Sequence, residues 1–171
     1  MKIDHLVRRV PITHTHIDRY LKWLPAVAVL APRKLELATA HNLQSRAARL
    51  GLTLLFTEAA TQGLKYGIDR ARPGLPLDDQ SFPSSHTSVA VAGAELLRRE
   101  LASAHSILSW SGYVPAAVTA ALRISKRRHW PSDVLAGAMI GVGSACLASI
   151  IMRTIKKKMQ ADKPSPVSRP E

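Results

Sequence analysis

Two long stretches of the chain contain no charged residue. Residues 134–152 give 19 consecutive uncharged positions and residues 101–122 give 22. An α-helix needs about 20 residues to cross the hydrocarbon core of a bilayer, so either stretch is long enough to span one. Residues 45–65 and 86–104 reach the same length but contain charged residues. The pattern predicts an all-α fold, an integral membrane helical bundle of about four spanning helices plus an N-terminal interfacial or re-entrant helix.

A soluble bundle is the alternative fold, because its buried helices are also rich in alanine. The uncharged stretches are longer than most helices of globular proteins, which favours the membrane. Gly137 and Gly141 lie four positions apart, a spacing that lets membrane helices approach closely. In a membrane, Glu58 and Glu95 are expected to face the bundle interior and to bond to a neighbouring helix.

The composition divides the chain into three parts. Residues 1–16 form a polar leader, residues 17–155 form one membrane domain, and residues 156–171 form a basic, proline-rich tail that we expect to be disordered. The polar ends bring the mean hydropathy of the whole chain close to zero and hide the apolar stretches. The chain has a single cysteine, Cys146, so no disulfide can form within it.

The apolar run within residues 17–31 is too short to span a bilayer and is broken by Pro25. We expect this segment to be the interfacial or re-entrant helix, with Tyr20 and Trp23 at the level of the lipid headgroups. Three polar residues lie near its start at a spacing of two, which is a weak metal signal. They are expected at the surface rather than as metal ligands: His14, His16 and Asp18.

Three short blocks of sequence carry groups suited to binding a phosphate ester. The first block contributes Lys65 and Arg72, and the third contributes Arg123. A phosphate spreads negative charge over several oxygens, so several cations must surround it before a nucleophile can approach. Each arginine offers a planar fork to two oxygens, whereas the lysine acts as a compact point charge.

The second block, PSSH, stands shortly before the apolar run VAVAGAELL. The backbone N–H groups of Ser84, Ser85 and His86 would therefore lie at the positive end of a helix, which is a ready anion site. Together with the three cations, this cradle needs neither a metal ion nor a cofactor.

A candidate nucleophile comes from the third block. His129 and Asp133 lie four positions apart, and Pro131 between them suits the first turn of a helix. A carboxylate bonded to one ring nitrogen would leave the other nitrogen free to attack phosphorus, so His129 is the expected nucleophile. His86 lies on another segment and would protonate the departing oxygen, then activate water.

These blocks resemble the three signature motifs of the phosphatidic acid phosphatase type 2 superfamily, which includes lipid phosphatases, bacterial acid phosphatases and vanadium haloperoxidases. KYGIDRARP, PSSH and LRISKRRHWPSD match the motifs in order, and the resemblance covers about residues 15–155. It implies a phosphohistidine at His129, a general acid at His86, and Asp133 as the residue that orients His129. The phosphate-binding residues that it implies are Lys65, Arg72, Ser84, Ser85 and Arg123.

Two positions differ from the family pattern. Ser85 stands where glycine is usual, and Leu122 stands where serine is usual. We expect activity to survive both exchanges because the side chains that do the chemistry remain. Three alternatives stay open: a non-catalytic relative that binds lipid phosphate, a soluble-type acid phosphatase or haloperoxidase-like enzyme, and a small cationic membrane scaffold in which the motifs are accidental.

Each motif begins or ends a predicted span, so all three are expected on one side of the bundle. The other side carries eight basic residues: Arg46, Arg49, Arg98, Arg99, Arg153, Lys156, Lys157 and Lys158. Basic residues beside short loops favour the cytoplasm. The sequence therefore predicts a multi-pass protein of the bacterial inner membrane whose active site faces the periplasm.

The net charge of +12 raises the question of nucleic-acid binding. The basic residues divide between helix ends and the phosphate cradle, and only 5% of the residues are aromatic, so no base-stacking platform is visible. Anionic lipid headgroups account for the same charges. The predicted partners are a phosphorylated lipid substrate and a bilayer with anionic lipids. The flanking sequence is similar to that of small bacterial membrane members, among them lipid A phosphatases.

Overall fold

The computed structural model describes residues 16–31, 41–75, 77–103 and 106–161. Their regular structure is helical, with β pairing limited to two isolated bridges in the loop around residues 70–80. The all-α prediction is therefore confirmed. The helices are α1 (Ile17–Leu21), α2 (Leu24–Val29), α3 (Leu43–Gly67), α4 (Ser85–Leu101), α5 (Tyr113–Ser125) and α6 (Pro131–Ala161), with a 3-10 turn at Leu108–Trp110.

Helix α4 lies at the centre of the molecule. It contacts α2, α3, α5 and α6, and nearly all of its residues are buried. Small side chains make this possible, because Ala90, Ala92 and Ala94 are fully buried and let the neighbouring helices approach. Leu96, close to its C-terminal end, is fully buried in an apolar cluster formed with α2 and α3. Burying an alkyl side chain of this size contributes about 2 kcal/mol.

The closest helix contact is between α4 and α6, and two glycines allow it. A Cβ atom at Gly137 would lie 2.7 Å from the carbonyl oxygen of Ser84, and one at Gly141 would lie 2.6 Å from that of Ser88. Both distances are shorter than any real contact, so only glycine fits at these positions. The predicted role of the four-residue glycine spacing in helix packing is confirmed.

The uncharged stretch at residues 101–122 does not form one helix. The prediction that these residues form a single spanning helix is therefore wrong. Helix α4 ends at Leu101, the 3-10 turn follows, and α5 begins at Tyr113. Gly112, just before α5, packs directly on α4, where an added Cβ would lie 3.1 Å from Ala94. Helix α5 has 13 residues and is about 20 Å long, whereas the hydrocarbon core is about 30 Å thick.

One of the described helices, α6, is both long and apolar enough to cross a membrane. Its 31 residues give a length of about 45 Å. It begins at Pro131, as the sequence predicted, and extends to Ala161, six residues into the segment assigned to the tail. The arrangement of four spanning helices stays a prediction, as does the disorder of residues 162–171, which lie outside the described part of the chain.

The N-terminal segment folds into α1 and α2, which are too short to span a bilayer. Tyr20 and Trp23 are exposed, and so is His16. Asp18, by contrast, is only 4% exposed, so the prediction that it is a surface residue is wrong. It is buried because it forms ion pairs with two cations of the α5 region, as described below. His14 and the rest of the leader lie outside the described residues.

The two glutamates that were predicted to face the bundle interior, Glu58 and Glu95, have different environments. Glu95 is buried and accepts a hydrogen bond of 2.7 Å from the hydroxyl of Tyr113 on α5, so its predicted bond to a neighbouring helix is confirmed. Arg98 and Arg99 on its own helix also donate to it. Glu58 is exposed and accepts from Gln62 one turn later on α3. The prediction that it bonds to a neighbouring helix is wrong, because within the described part of the chain its side chain bonds along α3 and otherwise borders an open cavity.

Candidate active site

Helix ends from three parts of the chain surround a cavity of 560 Å³ at one end of the bundle. The end of α3 contributes Lys65, the start of α4 contributes Ser85 and His86, and the end of α5 contributes Arg123. The cavity is lined by Lys22, Trp23, Leu54, Glu58, Lys65, Arg72, Ser85, His86, Val89, Arg123 and His129. Six of the eight residues predicted from the sequence therefore meet around one space.

Lys65 and Arg72 are held by the loop that connects α3 to α4. Lys65 Nζ donates to the carbonyl oxygen of Gln80 at 2.7 Å, and Arg72 Nη2 donates to the same oxygen at 3.2 Å. The Arg72 Nε atom pairs with Asp78 at 2.8 Å. The hydrogen bond from Arg72 lowers the pKa of Asp78, so this carboxylate stays charged behind the arginine. The loop thus fixes two cations at the cavity wall.

Arg123 is held by a carboxylate that the sequence did not single out as a site residue. Its Nη1 atom donates to Asp18 at 2.7 Å, and Lys126 Nζ donates to the other oxygen of Asp18 at 2.6 Å. Burial alone would raise the pKa of Asp18, but the hydrogen bonds from Lys126 and Arg123 lower it to about 2. The Nε atom of Arg123 is buried and has no partner among the described residues. Asp18 fixes the Arg123 guanidinium at the cavity wall.

His129 is 3% exposed, and its two nitrogens have separate roles. Nδ1 lies 2.7 Å from the carbonyl oxygen of Ser81. A carbonyl can only accept, so Nδ1 carries the proton and Nε2 keeps its lone pair. Nε2 lies 3.4 Å from Arg123 Nη2 on the cavity side. Burial, followed by the charge of Arg123, lowers the pKa of His129 to about 4, which keeps the ring neutral near pH 7.

Asp133 does not make the predicted hydrogen bond to His129, because its carboxylate lies 3.9 Å from Nδ1. It accepts instead from Arg70 Nη1 at 2.6 Å, from the Trp130 backbone N–H at 2.9 Å and from the Ser81 hydroxyl. Ser81 therefore connects the two, since its hydroxyl bonds to Asp133 and its carbonyl bonds to His129. Any orienting effect of Asp133 on His129 acts through Ser81.

Ser84 is the other predicted residue that does not reach the cavity. Its side chain is fully buried and shares a hydrogen bond of 3.0 Å with Thr87. Its backbone N–H donates to the carbonyl oxygen of Asp133 at 3.0 Å, which ties the start of α4 to the start of α6. Ser84 therefore aligns two helices, and its hydroxyl is not available to a phosphate.

Ser85 occupies the first helical position of α4, beside His86. Among the described residues, the one non-glycine residue in the left-handed region is Arg127, and no glycine lies there. The exchange of glycine for serine at position 85 thus imposes no backbone strain. Leu122 is half-buried on α5 next to Arg123 and adds no polar group to the cavity.

The sequence missed several residues that shape this site, and nothing in their spacing marks them. Ser81 acts partly through its backbone carbonyl, which any residue has. Asp18 and Lys22 precede the first motif by more than forty residues. Within the described part of the chain, no cluster of three or more His, Cys, Asp or Glu side chains is arranged to hold a metal ion.

Comparisons with known proteins agree with the motif pattern. The model of the PAP2 superfamily matches residues 46–157. A lipid A 1-phosphatase from Porphyromonas gingivalis is 32% identical over 153 residues, which are 82% of this chain and 33% of that protein. The chain thus spans about a third of the length of this curated relative. The crystal structure of Aquifex aeolicus LpxE has a similar fold, with a TM-score of 0.57 and 22% identity over 85% of this chain and 93% of that one.

Proposed function

The chain belongs to the PAP2 superfamily, and from that premise we propose that it is a membrane phosphatase that hydrolyses a lipid phosphate monoester or diphosphate. The proposal depends mainly on the tautomer of the His129 ring. Its Nδ1 proton is bound by the Ser81 carbonyl, so the unprotonated Nε2 is available at a cavity lined by four cations. A neutral imidazole beside fixed positive charge suits attack on phosphorus.

In the first step, His129 Nε2 forms a bond to phosphorus while the bond from phosphorus to the lipid oxygen breaks. Lys65, Arg72 and Arg123 neutralise the charge on the phosphoryl oxygens as the transition state forms. His86, at the first turn of α4, carries a proton when the anionic phosphate is bound beside it, and it gives that proton to the departing oxygen. The products of this step are the dephosphorylated lipid and a phosphohistidine.

In the second step, His86 takes a proton from water, and the water oxygen attacks the phosphohistidine. The bond from phosphorus to Nε2 breaks, and inorganic phosphate leaves with the ring of His129 restored. Phosphorylation makes the imidazole more positive, and the Ser81 carbonyl on Nδ1 stabilises that charge. Since the chain's own cations can balance the phosphate charge, we propose that neither step needs a metal ion.

The position of the cavity relative to α6 supports the proposed membrane setting. His129 is two residues before this apolar helix, so a spanning α6 would hold the cavity at one membrane surface, at the level of lipid headgroups. The other end of α6 carries exposed Arg153 and Lys156 to Lys158. Such basic residues favour the cytoplasm, which supports a periplasmic active site in a multi-pass bundle of the bacterial inner membrane.

The relative from Porphyromonas gingivalis supports a lipid as the substrate, because that protein is a lipid A 1-phosphatase. Anionic lipids of the bilayer would also attract the basic protein to the membrane surface that contains its substrate. We propose a phosphorylated lipid as the substrate class. Lipid A and phosphatidic acid are both among the first compounds to test. The two motif exchanges at Ser85 and Leu122 leave the chemical groups in place, so catalysis is favoured over binding alone.

A phosphate-release assay tests this function. Purified protein in detergent is given phosphatidate, a prenyl diphosphate, phosphatidylglycerophosphate and lipid A, each with a metal chelator present. We expect at least one lipid to release phosphate at a rate that the chelator does not change. Folded protein that releases none from any of these lipids would overturn the proposal, and activity only without chelator would overturn its metal independence.

A further inference from the structure

A fourth cation lines the cavity and comes from a part of the chain that the family model does not cover. Lys22 lies between α1 and α2, whereas the match to the PAP2 model begins at residue 46. Its ammonium lies 5.1 Å from the centre of the Trp23 ring. Trp23 lines the same cavity, so the two residues form one wall of the candidate active site.

Lys22 differs from the other three cations of the cavity because it has no polar tether. Lys65 is bonded to the Gln80 carbonyl, Arg72 is paired with Asp78, and Arg123 is paired with Asp18. Within the described part of the chain, Lys22 Nζ makes no hydrogen bond or ion pair. Burial lowers the pKa of Lys22, with the nearby charge of Glu58 acting in the opposite direction. A partly desolvated cation without a partner is unfavourable unless a ligand supplies an anion.

The wall that carries Lys22 is fixed to the bundle on both sides. Before it, Asp18 on α1 pairs with Arg123 and Lys126. After it, Ala26 on α2 packs so closely on α4 that a Cβ at Gly93 would lie 2.7 Å from the Ala26 nitrogen. Lys22 is therefore held at a defined place beside the cavity, which distinguishes it from a lysine on a free surface.

The cavity is larger than one phosphate group requires, and it has more cations than the proposed mechanism assigns to that group. Lys65, Arg72 and Arg123 are the cations assigned to the phosphoryl oxygens. A volume of 560 Å³ lies in the range of sites that enclose whole small molecules. We propose that Lys22 binds a second anionic group of the substrate, located next to the phosphate that is cleaved. This inference rests on the proposed phosphatase function and narrows its substrate class to lipids with two neighbouring anionic groups.

The second anion has two chemical sources, and matched substrates separate them. A prenyl diphosphate compared with the monophosphate of the same chain reports on a directly attached phosphate. Phosphatidylglycerophosphate compared with phosphatidate of the same acyl chains reports on a separate phosphate in the headgroup. The wild-type protein is expected to prefer the two-anion member of at least one pair. Equal kcat/KM within both pairs would overturn the proposal.

Substitution of Lys22 tests its part in this preference. We expect Lys22→Met to lower kcat/KM for the preferred two-anion substrate about tenfold, mainly through KM, because one charge-assisted hydrogen bond is lost. The loss on the single-anion partner should be smaller by about fivefold or more, because that substrate lacks the second anion, and Lys22→Arg should retain the preference. The control is Arg19→Met, which removes an exposed cation from α1 that does not line the cavity. An equal loss on both substrates in Lys22→Met would assign Lys22 to the cleaved phosphate and overturn the proposal.

A binding measurement separates this inference from the proposed function. Pyrophosphate and phosphate are added at equal concentration, and the shift in unfolding temperature is recorded. Pyrophosphate should stabilise the wild type and Arg19→Met more than phosphate does, and the difference should disappear in Lys22→Met. If lipids are hydrolysed but pyrophosphate shows no advantage, the Lys22 inference fails and the phosphatase function stands. If no lipid is hydrolysed, the function fails, and the binding result still decides whether Lys22 recognises a second anion.

Discussion

The two ends of the helical bundle use the same kinds of side chain in opposite arrangements. At the cavity end, the cations face an open space, and the carboxylates that pair with them stand behind them, as Asp18 stands behind Arg123. At the opposite end, a carboxylate lies in the centre and the cations enclose it. Glu95 is buried there between Arg98, Arg99 and the Tyr113 hydroxyl.

The histidines at the two ends also differ in how many of their ring nitrogens the protein occupies. At the opposite end, His41 places Nδ1 at 3.0 Å from Glu100 and Nε2 at 2.9 Å from Arg49, so the protein occupies both nitrogens. His129 gives only Nδ1 to the protein and leaves Nε2 at the cavity. Residue type alone therefore does not distinguish an ion-pair cluster from an anion site. The two differ in whether the paired carboxylate lies between the cations or behind them.

The largest expected effect separates the two histidines. We expect His129→Ala to lower kcat by about ten-thousandfold or more, because the attacking nitrogen is removed. His41→Ala should keep kcat within about threefold and lower the unfolding temperature, because Glu100 and Arg49 lose their shared partner. Phosphate release and thermal unfolding of both variants check this. Full activity in His129→Ala would remove this residue as the nucleophile.

The arginines give the next largest contrast. Arg123→Met should lower kcat/KM about 100- to 1,000-fold, because a preorganised donor to the transition state is lost. Arg98→Met, at the opposite end, should change kcat/KM less than about threefold while it destabilises the fold, since Arg98 pairs with Glu95. Steady-state kinetics and unfolding curves in the same detergent measure both. Equal losses of activity in the two variants would contradict the division of roles between the ends.

Helices α4 and α6 run between the two ends of the bundle. Two glycines of α6 allow a test of how closely these helices pack. Gly141→Ala should lower the free energy of unfolding by about 2 kcal/mol, because the new Cβ would meet the Ser88 carbonyl and the Ala92 nitrogen, which are backbone atoms. Gly143→Ala is the matched control, since nothing lies within 4 Å of its added Cβ. It should be neutral or stabilising by up to about 1 kcal/mol. Denaturant unfolding compares the two variants, and equal stability would show that the close contact is absent.

The smallest expected effect concerns the carboxylate behind Arg123. Asp18 has a pKa of about 2 in the folded protein, against about 3.9 for an unperturbed aspartate. Its ion pairs therefore stabilise the fold fully above about pH 4, and this contribution is lost as the pH falls towards 2. Wild type should exceed Asp18→Asn in stability by about 1–2 kcal/mol at pH 6. Unfolding curves at several pH values should show the gap closing between about pH 5 and 2; a constant gap would contradict the ion pairs.

Much of the site was predictable because motif spacing and helix geometry act over short distances. Lys65, His86, Arg123 and His129 fall at or next to helix ends that the apolar stretches defined, and Arg72 lies in the loop after the first of these helices, so the five meet around one cavity. Pro131 begins α6 for the reason its sequence position suggested. The glycine spacing in α6 likewise predicted its close contact with a neighbouring helix.

The remaining features depend on contacts between distant parts of the chain. A stretch without charges predicts burial in protein or lipid but not helical continuity, so the break between α4 and α5 was missed. The four-residue spacing of His129 and Asp133 allowed a direct bond, yet Ser81 lies between them. Asp18 pairs with Arg123 across 105 positions of sequence, and no local pattern encodes that distance.

A search for the covalent intermediate tests most directly whether His129 is the nucleophile. Protein is mixed with a lipid substrate carrying labelled phosphate, quenched in base within one turnover, and digested for mass spectrometry. We expect labelled phosphate on Nε2 of His129, since Nδ1 is bound to the Ser81 carbonyl, and none on His41 or in the His129→Ala protein. Label on a different residue, or full turnover with His129 never phosphorylated, would contradict this role for His129.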